Sequence, residues 1–269
     1  MLGAKVMIGL PWQKTVNPIT SFCVQRLIDS RRATSFLHFG DAFVVHSRNH
    51  IAKIFLESTC DWLMMVDDDM VVPTGNADIY RAYTGFNFPK QFMELHALDR
   101  LLSHKKNLVG ALYFGRQSLN GPAVYGEGAA DSQEAAFARK GPHDICKPTR
   151  WVGTGCILIH RTVFEDIEKR FPRLSRKNGD GTGNWFTSTE ASLVDSVEKT
   201  LTDVQSKPLT ASSAYDVLQR LNTALALTKQ ENVLGVGEDV SFCLRAAAAG
   251  HTPHVDLGLR CGHLGTFCY

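Results

Sequence analysis

Three consecutive aspartates, Asp67, Asp68 and Asp69, follow the apolar run Trp62-Leu-Met-Met-Val66, and a second short apolar run begins directly after them. A buried strand that empties into carboxylates is one way to hold a divalent cation at a sheet edge. Carboxylates two residues apart can point the same way, and hard oxygen ligands suit Mg²⁺ or Mn²⁺. Such an ion can neutralise a departing diphosphate. An acidic turn that merely closes a strand is the competing explanation. Three further clusters favour chemistry. Trp151-Val-Gly-Thr-Gly-Cys-Ile-Leu-Ile-His160 is strand-like but carries Gly153 and Gly155, whose missing side chains let backbone pass close to a ligand. Glu238 and Asp239 open a helix-like segment after Gly237; a helix dipole favours carboxylates there, and one of them can take a proton from a hydroxyl. His263 stands beside Gly262 at a strand end, and a neutral imidazole binds Mn²⁺ more readily than Mg²⁺.

The elements that must position these residues alternate between strand and helix signals. Lys5 to Leu10 reads as a buried strand closed by Pro11, and Phe22, Val24, Leu27 and Ile28 suit a helix over 20–32. Phe36 to Phe39 reads as a strand. Ile51, Ile54 and Phe55 predict a helix over Ser47 to Ser58, with Ser47 as its N-cap. Asp61 to Val66 is a strand, Phe92 to His104 a helix and Leu108 to Phe114 another strand. Residues 115–150 read as loop, Trp151 to His160 as strand and Arg161 to Phe171 as a helix stopped by Pro172. Glycines and charges make 173–188 an exposed loop, and 189–232 could hold two helices around Pro208. Glu238 to Ala249 is a helix ended by Gly250, and Thr252 to His263 supplies one or two closing strands. The expected fold is α/β, a single domain over 1–269 with a mostly parallel central sheet flanked by helices. Ligands of such sheets gather at the carboxyl ends of strands, where the aspartates fall. The 173–233 block reads as a helical or loop insertion.

Composition narrows the classes. The 269 residues are 44% apolar, and 29 Lys plus Arg nearly balance 27 Asp plus Glu for a net charge of +2. That balance does not announce a nucleic-acid binder or a polybasic membrane anchor. Apolar runs stay well short of the roughly 20 residues of a membrane span, and the N-terminus lacks a secretory layout, so a soluble, cytoplasmic protein is expected. The seven cysteines are scattered without a C-x-x-C pair, which suits reduced core thiols. Cys261, His263 and Cys268 resemble a zinc half-site without the paired spacing of a structural module.

The four clusters occur in the order Asp67-x-Asp69, Gly153-Thr-Gly155, Gly237-Glu238-Asp239 and His263. This order resembles nucleotide-sugar glycosyltransferases of the GT-A fold, the family 2-like group above all, and spans residues 5 to 265. The resemblance implies a nucleotide-binding half at about 1–115 and an acceptor half at about 116–269. It implies metal ligation by Asp69, with Asp67 at the metal or the ribose, Asp68 beside them and His263 either a metal ligand or a donor to the diphosphate, for Mn²⁺ or Mg²⁺. Asp239 would be the base, with Glu238 orienting the acceptor. Arg48 and Asn49 occupy the place of residues near the nucleotide, Pro11 and Trp12 that of the nucleobase wall, and Gly153 and Gly155 frame the acceptor side. Tyr113 and Arg116 are weaker candidates on the sugar or acceptor side. The donor would be a nucleotide-diphosphate sugar and the acceptor a hydroxyl on a glycan, a protein or a hydroxymethylated pyrimidine in DNA, since soluble chains of this kind occur among bacteriophages. The basic loop from Arg170 to Lys177 could contact DNA phosphates, although such a run is more often a solvated face. A metal-dependent nucleotidyltransferase and a non-catalytic sugar-nucleotide-binding protein are the rival readings.

Overall fold

A computed structural model describes residues 4–13, 15–30, 35–39, 43–76, 94–113, 146–172, 182–187, 214–219, 222 and 237–264. The continuous apolar runs become buried strands: β1 Val6–Pro11, β3 Trp62–Val66, β5 Leu108–Leu112, β7 Cys156–His160 and β8 His254–Arg260. Two shorter segments, β2 Ser35–Phe39 and β6 Cys146–Pro148, lie at the two margins of the same sheet. The spatial order of the seven strands is β2-β1-β3-β7-β5-β8-β6. Parallel pairing joins β1 to β2, β1 to β3 and β5 to β8, whereas β7 runs antiparallel to both its neighbours and β6 antiparallel to β8. The expected mostly parallel sheet is met in part: most strands run one way, but the sheet is mixed. Five strands share one direction; β7, inserted between β3 and β5, and β6 at the margin run the other way, so three of the six pairings are antiparallel.

Strand side chains alternate between two apolar layers, as a two-residue period requires. Met7, Leu63, Met65, Ile157 and Ile159 face a layer containing α2 Val44–Glu57, α4 Arg161–Arg170 and α5 Glu238–Ala248. Val6, Ile8, Met64, Val66 and Leu158 face α1 Pro18–Asp29 and α3 Ala97–Ser103. Helices on both faces of one sheet are the arrangement that α/β alternation predicts. A two-stranded ladder completes the site end of the sheet, with β4 Met70–Val71 antiparallel to β9 Gly262–His263.

Local readings shift in instructive places. Helix α2 starts at Val44 with Phe43 as its cap residue, so Ser47 lies inside the helix and is fully buried. The segment read as an exposed loop contains Trp185 and Phe186, which are 4% and 0% exposed. They pack with Phe164 and Phe242 between α4 and α5. Two apolar aromatics outweighed the polar company around them. Residues 146–148, read as loop, form β6. Cys23, Cys60, Cys156, Cys243 and Cys261 are buried and unbridged, as is the half-buried Cys146. Arg116, Cys268 and most of the 173–233 block lie outside the described residues. Among the described residues, no helix is long and apolar enough to cross a membrane.

Candidate active site

Strand direction collects the chemistry at one edge. The carboxyl ends of β1, β3, β5 and β8 lead into Trp12, Asp67, Tyr113 and the β9 turn. Because β7 runs the other way, the glycine loop that precedes it arrives at that same edge. The amino ends of α2 and α5 bring Arg48 and the Glu238–Asp239 pair.

The three aspartates are held apart by three different parts of the chain. Asp67 donates its backbone N–H to the Gly155 carbonyl at 3.0 Å, while the carbonyl of Asp68 accepts from Asn17 N–H at 2.9 Å and that of Asp69 from Leu264 N–H at 2.7 Å. Their side chains diverge as well. Both Asp67 oxygens accept from Arg48 Nη2, at 2.8 and 2.9 Å. Asp68 Oδ2 accepts from Gln13 N–H at 3.4 Å, and Asp69 Oδ2 lies 3.2 Å from His263 Nε2. The β4–β9 ladder makes this last contact, since Met70 pairs with His263. The negative charge of Asp67 is thus matched by a guanidinium. The acid–imidazole pair is left as the cation-compatible donor set.

Arg48 is 4% exposed and bridges Asp67 to Glu238, to which Nη1 also donates. Its burial opposes the charge, yet Asp67 and Glu238 together hold the guanidinium firmly protonated. The side chain is therefore committed to tying the aspartate motif to the acidic pair, two groups 171 residues apart in sequence, rather than turned toward solvent. Asn49 is equally committed: its Oδ1 accepts from Phe186 N–H at 2.8 Å and its Nδ2 donates to Phe186 O at 3.3 Å. Arg245, fully buried, donates to the carbonyls of Trp185 and Thr187. Segment 182–187 is stapled by these two side chains behind Arg48 and the acidic pair.

Asp239 has its carboxyl pushed above the usual aspartate range by burial, with Arg48 opposing and Glu238 adding to the rise. Its Oδ1 accepts from Val240 N–H at 2.8 Å. Beside it, Tyr113 is buried, accepts the Gly155 N–H at 2.9 Å and sets its ring against the edge of His263. Gly155 has no room for a side chain: a Cβ would sit 2.7 Å from Tyr113 Cζ and 3.1 Å from Met70 Sδ. Gly153 and Thr154 are buried in the same turn. Gly155 admits a tyrosine ring at close range, which sequence spacing does not reveal. A cleft of about 330 Å³ opens beside these groups, lined by Pro11, Trp12, Gln13, Thr15, Val44, Asp67 and Asp68. Among the described residues, Trp12 Nε1 is buried in its wall without a hydrogen-bond acceptor.

Asp69 and His263 suit Mn²⁺ as a carboxylate oxygen and an imidazole nitrogen facing one another. No group of three or more such side chains converges on one point among the described residues, so further ligands would come from water or from a substrate's own oxygens.

No protein-family model matches the chain, and no curated protein sequence matches it. Among solved structures, the chain is similar to A197 from STIV, with 13% identity and a TM-score of 0.47, over 97% of this chain and 86% of that one. It is also similar to a glycosyltransferase involved in glycosylation of the major capsid of PBCV-1, with 11% identity and a TM-score of 0.31, over 68% and 69% of the two chains. These are distant likenesses, and the functional reading rests on the geometry of the site itself.

Proposed function

We propose that this protein is a metal-dependent glycosyltransferase of GT-A type, which moves a sugar from a nucleotide-diphosphate donor to a hydroxyl acceptor. The observation that carries the reading is the convergence of four separated motifs on one sheet edge. Asp67 meets Glu238 through Arg48, and Asp69 meets His263 directly. Three unrelated structural carboxylates and a histidine have no reason to converge in this way.

In this reading the cleft between Trp12 and Asp68 takes the nucleoside. Asp69 and His263 would hold Mn²⁺, which would supply positive charge against the leaving diphosphate. Arg48 keeps Asp67 and Glu238 in fixed relation, so the donor and acceptor sides cannot drift apart. Asp239 removes the acceptor hydroxyl proton. Its raised proton affinity makes it a stronger base than an exposed aspartate would be.

The test is donor binding and hydrolysis. Purified protein is offered a panel of UDP-, GDP- and TDP-sugars with Mn²⁺, Mg²⁺ or EDTA, beside the Asp69→Ala variant. Metal-dependent release of nucleotide diphosphate by the wild type, lost in the variant, is expected. Failure of every sugar nucleotide to bind under any metal condition would sink the reading. Cleavage of plain nucleoside triphosphates instead would transfer it to a nucleotidyltransferase.

A further inference from the structure

Tyr113 lies at the end of β5, is 5% exposed, and touches both supports of the aspartate motif. On one side its phenol oxygen accepts the Gly155 N–H at 2.9 Å, and the Gly155 carbonyl in turn holds the Asp67 N–H at 3.0 Å. On the other side its ring stands at 89° to the imidazole of His263 with centroids 5.6 Å apart, and His263 faces Asp69 at 3.2 Å. Absence of a side chain at Gly155 is what lets the ring into this position, since a Cβ would lie 2.9 Å from the phenol oxygen. One aromatic side chain therefore sits between two chains of contacts, each ending on a different aspartate.

We propose that Tyr113 is the positioning residue of this site: its ring orients the His263 imidazole toward Asp69, and its phenol oxygen fixes the Gly155 turn that carries Asp67. The inference rests on the transfer reading for its kinetic consequence but not for the contacts themselves. A hydroxyl that accepts from a backbone N–H still has its own proton to donate. An edge-to-face ring pair has a preferred orientation, which a flexible aliphatic side chain in the same space would not impose. Residues that orient metal-site ligands from behind typically change affinity or activity by about 10–100-fold when replaced.

The experiment compares Tyr113→Phe, which keeps the ring and removes the oxygen, with Tyr113→Leu, which removes both. Leu27→Ala in α1, a fully buried core residue, controls for lost stability. Three readouts are taken on the full chain: the His263 ring resonance in histidine-labelled protein, assigned with His263→Gln; hydrogen exchange at the Gly155 amide; and kcat and KM for nucleotide-sugar turnover. Tyr113→Phe should accelerate Gly155 exchange and leave the His263 resonance in place. Tyr113→Leu should move both. Both variants should lower kcat by about tenfold or more with donor KM little changed, whereas Leu27→Ala should lower the melting temperature without that loss. If Tyr113→Leu does not fold, the Phe variant still scores the Gly155 arm. A Gly155 amide equally protected in Tyr113→Phe, or a His263 resonance unmoved in Tyr113→Leu, would overturn the proposal. A wild type that turns over no sugar nucleotide would refute the transfer reading alone, because the spectra and the exchange need no donor.

Discussion

Removal of the Arg48 guanidinium tests the centre of this arrangement. Arg48→Met keeps the length and apolar body of the side chain but leaves Asp67 and Glu238 facing each other without the cation between them. The side chains of these two acids are each 24% exposed, and that of Arg48 is 5% exposed. Water therefore reaches the acids only in part, and Asp239 adds a third negative charge close enough to act on Arg48. Breaking a buried ion pair from one side costs about 3–5 kcal/mol, because the remaining charge is stranded. For a chain of this size the melting temperature should fall by roughly 6–20 °C, at about 2–4 °C per kcal/mol. Urea unfolding of wild type, Arg48→Met, Glu238→Gln and the double variant at pH 7 separates pair from bulk effects. The double variant should recover part of the loss, since a neutral amide in place of the Glu238 carboxylate no longer needs a counter-charge. A single-variant loss below about 1 kcal/mol, typical of an exposed surface pair, would refute the reasoning. So would strict additivity of the two substitutions.

Other outcomes follow from the same geometry. Asp239→Asn should lower turnover by about 10²–10⁴-fold, the usual worth of a general base, while wild-type activity rises with pH through a titration above the ordinary aspartate value. The stability sign is opposite: a carboxyl whose folded proton affinity is raised stabilises below the unfolded pKa and loses that contribution as pH rises through the folded one. Asp239→Asn should therefore melt higher than wild type at neutral pH, and calorimetry that found it lower would contradict the burial argument. Asn49→Ala should cost about 2–6 kcal/mol, since two buried backbone groups of Phe186 lose their partners at about 1–3 kcal/mol each; unchanged exchange protection at Phe186 would count against the staple. Asp256 is fully buried, and although burial raises its proton affinity, bonds from His104 and Arg100 bring the carboxyl below its usual range. Its contribution is present above the unfolded value of about 3.9 and fades as pH falls through the lower folded one. The stability gap between wild type and Asp256→Asn should close in acid, and a gap independent of pH would exclude an ionic origin.

Much of the scaffold was legible without coordinates. The runs at 5–10, 61–66 and 108–114 are largely apolar and bounded by turn residues, and buried strands form within them at Val6–Pro11, Trp62–Val66 and Leu108–Leu112. The segment opened by Glu238–Asp239 carries a helical period and ends at Gly250, which adopts a φ of +95° that suits glycine. Local composition determined these elements because hydrophobic burial and backbone propensity act within a few residues.

What local composition could not determine was pairing and partnership. Whether β7 would enter the sheet antiparallel between β3 and β5 depends on competition among strand registers far apart in sequence. The roles of Arg48 and Asn49 illustrate the same limit. As sequence they are polar residues at a helix start; in the fold one bridges Asp67 to Glu238 and the other caps Phe186. Tyr113 carried little signal of its own, because its importance comes from a glycine 42 residues later that leaves space for its ring. Residue types and spacing determined which groups could do chemistry here. Only the tertiary structure decided which of them meet, because a hydrogen bond or ion pair requires ångström-scale proximity that chain connectivity alone does not specify.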